Sequence, residues 1–296
     1  MLDARGVTVD SIATSGPGHA GEIARRAVDR GADLILVAGG DGTINEAVNG
    51  MVNSDVPLGI LPAGTANVLA NELGIGTTME RAAAVLPHST TERVALGLIS
   101  NESEDVRRYF LLMAGAGLDA DIVYHLNPRM KEAIGKGAYW IGGFSKVGRR
   151  IPEFTVLADG REYRASFALL SRVRNYGGDL EIAPTISLLD DEFELVLFRG
   201  ESSFGFLKYM LAVVAHRHRN MRGITILRAR QVAFPAAEGT QIHVQVDGEY
   251  AGVTPARVEI VPNALTLLVP PDFRSRRPAS APAVVDAAAW TTSPTR

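Results

Sequence analysis

One stretch limits the fold more than any other: Leu34-Ile35-Leu36-Val37-Ala38-Gly39-Gly40-Asp41-Gly42-Thr43-Ile44-Asn45-Glu46. Its apolar, partly β-branched opening reads as a buried parallel strand. The strand ends in a glycine corner, and a helix opens at Thr43 with Ile44, Ala47, Val48, Met51 and Val52 spaced along one face. Strand, glycine turn and helix together aim backbone N–H groups and a helix N-terminus at a phosphate. Glycines suit such a corner because a β-carbon would block close approach and because positive φ angles are open to them. The same residues also fit a purely structural turn. Thr43-x-x-Glu46 has the form of a capping box, and Asp41-Gly42 is an ordinary turn pair. Two glycines before the Asp and one after it exceed what a cap requires.

Familiar nucleotide motifs are missing. There is no G-x-x-x-x-G-K-[ST] and no G-x-G-x-x-G at this corner. Gly115-Ala116-Gly117 is an isolated G-x-G. The loop carries no lysine, so positive charge has to come from helix ends, other side chains or a metal. An Asp facing phosphates is repelled unless a divalent cation lies between them, which places Asp41 near a metal–phosphate contact.

Along the chain, Val7-Thr8-Val9 reads as a short strand and Thr14-Ser15-Gly16-Pro17-Gly18 as a turn. A helix from His19 to Arg30 stops at Gly31. Pro57 to Leu61 is a second buried strand, followed by the corner Ala63-Gly64-Thr65-Ala66-Asn67, a helix Val68 to Leu73 closed by Gly74, and a helix Thr78 to Leu86. The alternation predicts an α/β fold with a doubly wound parallel sheet, whose ligands sit at the carboxyl ends of the strands. Thr14, Gly39–Thr43 and Gly64-Thr65 then converge on one cleft.

From Val94 the texture becomes that of a larger, mainly antiparallel, sandwich-like β domain. Its expected strands are Arg107–Ala114, Phe154–Ala158, Tyr163–Leu170, Phe193–Phe198, Ile224–Phe234, Gln241–Val246, Arg257–Val261 and Leu265–Val269, with helical insertions at Arg129–Arg149 and Phe204–His216. The expected division is 1–92, 93–263, and a disordered Pro-, Ala- and Ser-rich tail from 271 to 296, with 264–270 returning to the first domain.

At 296 residues the chain has room for two cores, and 46% hydrophobic with 21% charged residues is a globular composition. A net charge of −3 argues against a nucleic-acid binder. With no Cys there is no disulfide, thiolate metal site or Cys nucleophile. No signal peptide is evident, and no apolar run reaches the ~18 residues that span a bilayer. Asp247-Gly248-Glu249 has the form of a hairpin turn. Asp190-Asp191-Glu192 reads as a solvated acidic turn. Phe204 to Val214 is apolar nearly all round and is followed by His216, Arg217, His218, Arg219 and Arg222. Such a helix suits core packing, or shallow insertion at an anionic membrane together with Lys131, Lys136, Lys146, Arg149 and Arg150.

Gly39-Gly40-Asp41-Gly42-Thr43-Ile44-Asn45-Glu46-Ala47-Val48-Asn49-Gly50 resembles the signature of the diacylglycerol kinase catalytic family, which is related to the sphingosine and ceramide kinases. The Gly-Gly-Asp-Gly core is shared with NAD kinases and phosphofructokinases, while the Asn-Glu-x-x-Asn-Gly continuation is similar to the lipid kinases. The resemblance runs from about Val7 to Val269. It implies a lipid kinase that uses ATP and Mg²⁺, with diacylglycerol as substrate, working in the cytoplasm at the inner membrane face, with a homodimer left open. It places ATP against Thr14, Gly39, Gly40, Asp41, Gly42, Thr43, Ile44, Asn45, Gly64, Thr65 and Asn67. It assigns Glu249 as the proton acceptor, then Asp247, then Asp41, and gives Mg²⁺ to Ser187, Asp190 and Glu192, with Asp191 standing where the family has Gly. The family opens with a strand and an Asn-Pro-x-x-Gly loop that has no counterpart ahead of Thr14, so the expected natural start lies upstream of Met1. NAD kinase activity, or a non-catalytic nucleotide- or lipid-binding role, are the competing expectations.

Overall fold

A computed structural model of the chain describes residues 8–101, 105–125, 150–176, 180–237, 239–278 and 284–286. The N-terminal layer runs α1 (His19–Asp29), β1 (Ile35–Gly39), α2 (Asp41–Met51), β2 (Leu58–Pro62), α3 (Val68–Leu73) and α4 (Met79–Val85). Then come β3 (Thr90–Asn101), β4 (Val106–Phe110), β5 (Met113–Gly117), α5 (Leu118–His125), β6 (Phe154–Ala158), β7 (Arg161–Ala165) and β8 (Phe167–Ser171). They are followed by β9 (Asn175–Tyr176), β10 (Leu180–Glu181), β11 (Phe193–Phe198), α6 (Ser203–Val214), β12 (Ile224–Ala229) and β13 (Gln231–Phe234). The chain closes with β14 (His243–Val246), β15 (Glu249–Val253), β16 (Ala256–Val269) and β17 (Val284–Asp286).

The α/β class and the antiparallel second half stand as expected. β1 and β2 pair in parallel, Ile35 against Leu58 through Gly39 against Pro62. One sheet runs β1-β2-β16-β13-β6-β7, with β3 also on β16 and β4 on β3. The other runs β15-β14-β5-β8-β11-β12-β17. The two sheets enclose a core that includes Phe110, Phe154, Phe193 and Phe234. A second core joins α2, β2 and α3 through Met51, Leu58, Leu69 and Leu73.

β16 is the seam. The expected strands Arg257–Val261 and Leu265–Val269 are one 14-residue strand with a register shift between Val261 and Leu265. It runs antiparallel to β3 and β13 and parallel to β2, where Leu267 faces Leu58. β3, which the sequence reading missed, lies along it. Three other expected strands divide. Arg107–Ala114 breaks into β4 and β5, Tyr163–Leu170 into β7 and β8, and Ile224–Phe234 into β12 and β13, and each pair serves both sheets. Val7–Val9 is also corrected, because Thr8 and Val9 lie in irregular chain.

Helix α2 buries Ile44, Ala47, Val48 and Met51, the spacing read from the sequence. It meets α1 backbone to backbone, since a β-carbon on Gly50 would lie 2.1 Å from the Gly21 carbonyl oxygen. The expected disordered tail is corrected at its start. Phe273 is buried, Arg274 ion-pairs with Glu92, and Arg276 donates to the Leu73 carbonyl at 3.3 Å. The expected insertion Arg129–Arg149, with Lys131, Lys136 and Lys146, lies outside the described residues. Arg150 pairs with Glu201 at 2.6 Å.

Candidate active site

The first glycine corner closes by proximity rather than by unusual dihedrals. Helix α2 begins at Asp41, with Gly40 at its N-cap in an extended conformation (φ −88°, ψ 177°). None of Gly39, Gly40 and Gly42 has positive φ, which corrects that part of the expectation. Space is what demands glycine there: a β-carbon on Gly64 would sit 2.5 Å from the Gly40 Cα, and one on Gly39 would sit 2.8 Å from the Thr43 Cβ. The two glycine corners therefore touch, and the Ala63 N–H donates to the Gly39 carbonyl at 3.0 Å.

Side chains lock the corners together. Asp41 accepts from the N–H groups of Val68 (3.0 Å) and Leu69 (3.2 Å), which caps α3. Asn67, at φ 47°, braces its own turn through the Gly64 N–H and carbonyl, both at 2.9 Å. The capping box is corrected: Glu46 reaches instead to the Gly18 N–H at 2.8 Å and the Ala20 N–H at 3.2 Å, and so caps α1. Asp41 and Glu46, both on α2, thereby tie the N-termini of α3 and α1 to that helix.

The acidic hairpin lies opposite. Asp247 (φ 48°) and Gly248 (φ 78°) make the tight turn between β14 and β15, with Val246 paired to Glu249. The turn and site readings thus describe the same residues. The Asp247 carboxylate accepts from the N–H groups of Met113 (2.8 Å), Leu112 (3.3 Å) and Leu111 (3.4 Å). Protein surrounds it on most sides, with part of its surface open to the cleft. Burial pushes its carboxyl up to about 7, against those N–H groups and Arg108, which favour the charged form; Asp41 adds a push in the same direction as burial.

Arg108 holds the hairpin, donating to the Val246 carbonyl at 3.0 Å and pairing with Glu249 at 3.0 Å. A β-carbon on Gly42 would lie 3.4 Å from Glu249 Oε1, so the glycine helix and the acidic hairpin face each other across one narrow gap. Helix α2 is fixed in that position from behind. Asn49 exchanges two hydrogen bonds with the Tyr109 backbone, both at 2.9 Å. Asn45, in the amide orientation that satisfies both ends, donates to the Tyr109 carbonyl (3.2 Å) and to Asp247 (3.3 Å). The Asn-Glu-x-x-Asn-Gly continuation is thus a docking device: Asn45 and Asn49 face β4, Glu46 caps α1, and Gly50 admits the α1 backbone. Beside the hairpin, the Tyr250 ring meets Tyr124 (4.9 Å) and His243 (5.7 Å). A cavity of about 200 Å³ lies there, lined by Leu118, Ile151, Ile242 and His243 among others.

A diacylglycerol kinase catalytic domain model matches residues 1–99, and a model described as a YegS C-terminal NAD kinase beta sandwich-like domain matches 113–269. A diacylglycerol kinase of Mycobacterium tuberculosis (strain ATCC 25618 / H37Rv) is 31% identical over 274 residues, covering 91% of this chain and 87% of that one. One from Bacillus subtilis (strain 168) is 30% identical over 256 residues, covering 84% and 82%. The chain belongs to the diacylglycerol kinase family. A solved structure of a diacylglycerol kinase from Bacillus anthracis str. Sterne superimposes with a TM-score of 0.71 at 22% identity, covering 87% of this chain and 84% of that one.

Membership of a kinase family makes the chain a kinase-type enzyme, and the residues the family resemblance selected divide into three groups. Gly39, Gly40, Gly42 and Thr43 line the corner, half-buried, and Thr14, Gly64 and Thr65 are exposed near it. Ile44, Asn45 and Asn67, also expected at the nucleotide, are buried. Ile44 packs in the core, its N–H closing the first turn on the Gly40 carbonyl at 3.0 Å, and the two amides serve the braces described above. Asp41 caps α3, and Glu249 and Asp247 lie on the hairpin. The expected metal set, Ser187, Asp190 and Glu192, lies on one turn. Among the described residues no group of three or more acidic or His side chains is placed to hold an ion. The Asp190 carboxylate instead receives the Ser187 N–H (2.9 Å), Arg228 (3.0 Å) and Arg277. Arg108, which sequence reasoning missed, carries no local signal, since its partners are 138 and 141 positions further along the chain.

Proposed function

We propose that the chain phosphorylates a lipid hydroxyl, transferring the γ-phosphoryl group of ATP to diacylglycerol to give phosphatidic acid. The observation that carries this reading is the 3.4 Å approach between the Gly42 β-position and the Glu249 carboxylate. That approach supports a reading in which the α2 N-terminus holds the phosphate and Glu249 faces it as the general base. ATP enters as its magnesium complex and lies along Gly39–Thr43 and Gly64-Thr65, with Thr14 at its flank. The α2 N–H groups offset the charge that develops on the transferring group. Glu249, oriented by Arg108, takes the proton of the attacking hydroxyl. Asp247 fixes the hairpin against β5, so that Glu249 keeps its aim.

The lipid reading draws support from the surface. No described helix is long and apolar enough to cross a membrane. Helix α6 buries Val213 and stacks Tyr209 on Phe198, yet leaves Phe204 (61% exposed), Leu211 (59%) and Val214 (50%) in solvent, with Arg217 and Arg222 just beyond. That face suits peripheral contact with an anionic membrane. The test is transfer of radiolabelled phosphate from ATP to diacylglycerol in mixed micelles, run beside NAD as acceptor. Diacylglycerol is expected to be labelled, and Glu249→Gln to lose about 10²–10⁴-fold in kcat while its unfolding midpoint stays close to the wild type. Labelling of NAD, or full activity in Glu249→Gln, overturns the reading.

A further inference from the structure

Arg172 is a fully buried cation, the largest side chain sealed from solvent in the described structure. Its guanidinium donates to the carbonyl oxygens of Leu188 (2.8 Å), Asp190 (2.9 Å) and Glu192 (3.4 Å), three main-chain acceptors presented by a single acidic turn. Two side chains of that turn are committed as well. Asp190 takes the Ser187 N–H, Arg228 and Arg277, and Ser187 Oγ accepts from the Leu189 N–H at 3.2 Å. Arg228 extends the network to Thr185, whose hydroxyl donates to the buried Glu194 at 2.6 Å.

A hard divalent cation at this turn needs the same oxygens, about six of them at ~2.1 Å for magnesium. The Ser187 hydroxyl, the Asp190 carboxylate and the Glu192 carbonyl each already accept an N–H, and the Asp190 and Glu192 oxygens take theirs from guanidinium groups whose charge repels a second cation; the Glu192 carboxylate stands apart, 3.8 Å from Arg230. Burial pushes the Arg172 guanidinium down to about 10, while Asp190 and Asp191 hold it up, so it is charged at neutral pH. Asp191, which stands where the family resemblance has Gly, is one of the charges facing it.

We infer that the Arg172 guanidinium takes the place of a divalent cation in the turn from Ser187 to Glu192, which folds and stays folded without metal. The turn is wired to the hairpin through a single residue: the Arg172 N–H donates to the Leu112 carbonyl at 2.8 Å, and the Leu112 N–H donates to Asp247. The internal cation therefore supports the loop beneath the acidic hairpin, and any magnesium requirement of the reaction arises outside the turn from Ser187 to Glu192.

The test uses the full chain free of nucleotide. Its thermal midpoint in millimolar Mg²⁺ is expected to equal that in EDTA, and a calorimetric titration with Mn²⁺ is expected to show no site that Asp190→Asn removes. Arg172→Met, which takes the guanidinium donor from one buried and two partly buried carbonyls, is expected to lower the midpoint by about 10 °C. A Mg²⁺-dependent rise in the wild-type midpoint that Asp190→Asn abolishes overturns the inference. So does an unchanged midpoint in Arg172→Met. If Arg172→Met cannot be purified folded, the wild-type titrations decide on their own. The kinase reading stands or falls separately, on the labelling experiment.

Discussion

Replacing Gly42 with Ala separates what the glycine corner does for folding from what it does for chemistry. Gly42 is the second residue of α2 and has no positive φ, so alanine fits its backbone. Within a helix, Gly→Ala is worth about 0.5–1 kcal/mol of added stability. Among the described residues outside its own helix backbone, the one neighbour a new methyl meets is Glu249 Oε1 at 3.4 Å, an ordinary contact at the end of a movable side chain. Those effects nearly balance, and the midpoint should move by no more than about 2–4 °C in either direction. The chemistry has no such latitude. A methyl there occupies the gap in which the terminal phosphoryl group and the acceptor oxygen must come within about 3–3.5 Å. A displacement of about 1 Å costs on the order of 10²-fold, or ~2.7 kcal/mol of barrier, so kcat/KM for diacylglycerol phosphorylation should fall at least that far. Micelle-based phosphate transfer at saturating lipid, beside a thermal melt of the same sample, reads both quantities. Activity within about threefold of wild type, with an unshifted melt, refutes the argument that transfer occurs between Gly42 and Glu249.

Gly50→Ala makes the opposite demand, because its β-carbon would lie 2.1 Å from the Gly21 carbonyl oxygen with backbone on both sides. Overpacking of that kind costs about 1–3 kcal/mol, and circular dichroism melts should show a midpoint several degrees lower. Asp247 gives a pH signature. Its carboxyl keeps a proton in the folded chain up to about 7, while the unfolded chain releases it near 3.8, so the native state binds the extra proton between those values. Its contribution to stability is therefore complete below 3.8, declines as pH rises through 7, and is flat above that. Urea unfolding of wild type and Asp247→Asn across that window should differ in slope by at most about 1.4 kcal/mol per pH unit, and parallel slopes reject the assignment.

What the sequence made legible was local. The β1–α2 corner, the Asp-Gly hairpin and the buried face of α2 each depend on residues within a dozen positions, and each is where the pattern placed it. Long-range choices were not legible. Glu46 has the spacing to cap its own helix, yet tertiary contact gives it to α1, where two N–H groups rather than one are satisfied. Three apolar runs read as single strands because periodicity does not mark the bend at which a chain leaves one sheet for the other. The acidic turn advertised its carboxylates but not Arg172, an ordinary basic residue until the fold carries it inside. Arg108 and the Asn49–Tyr109 pairing stayed hidden for the same reason, since nothing near them in the chain announces partners 60 or more residues away.

The seam strand also restricts how the enzyme can move. Both halves share β16, so no pair of flexible linkers allows one half to swing freely over the other. Its ladder with β3 breaks step between Val261 and Leu265, where Asn263 takes φ 51° and Arg93 grips its carbonyl. The kink at Pro262 and Asn263 is where the strand common to both sheets departs from straight pairing, so a change in the angle between the halves has to bend β16 itself.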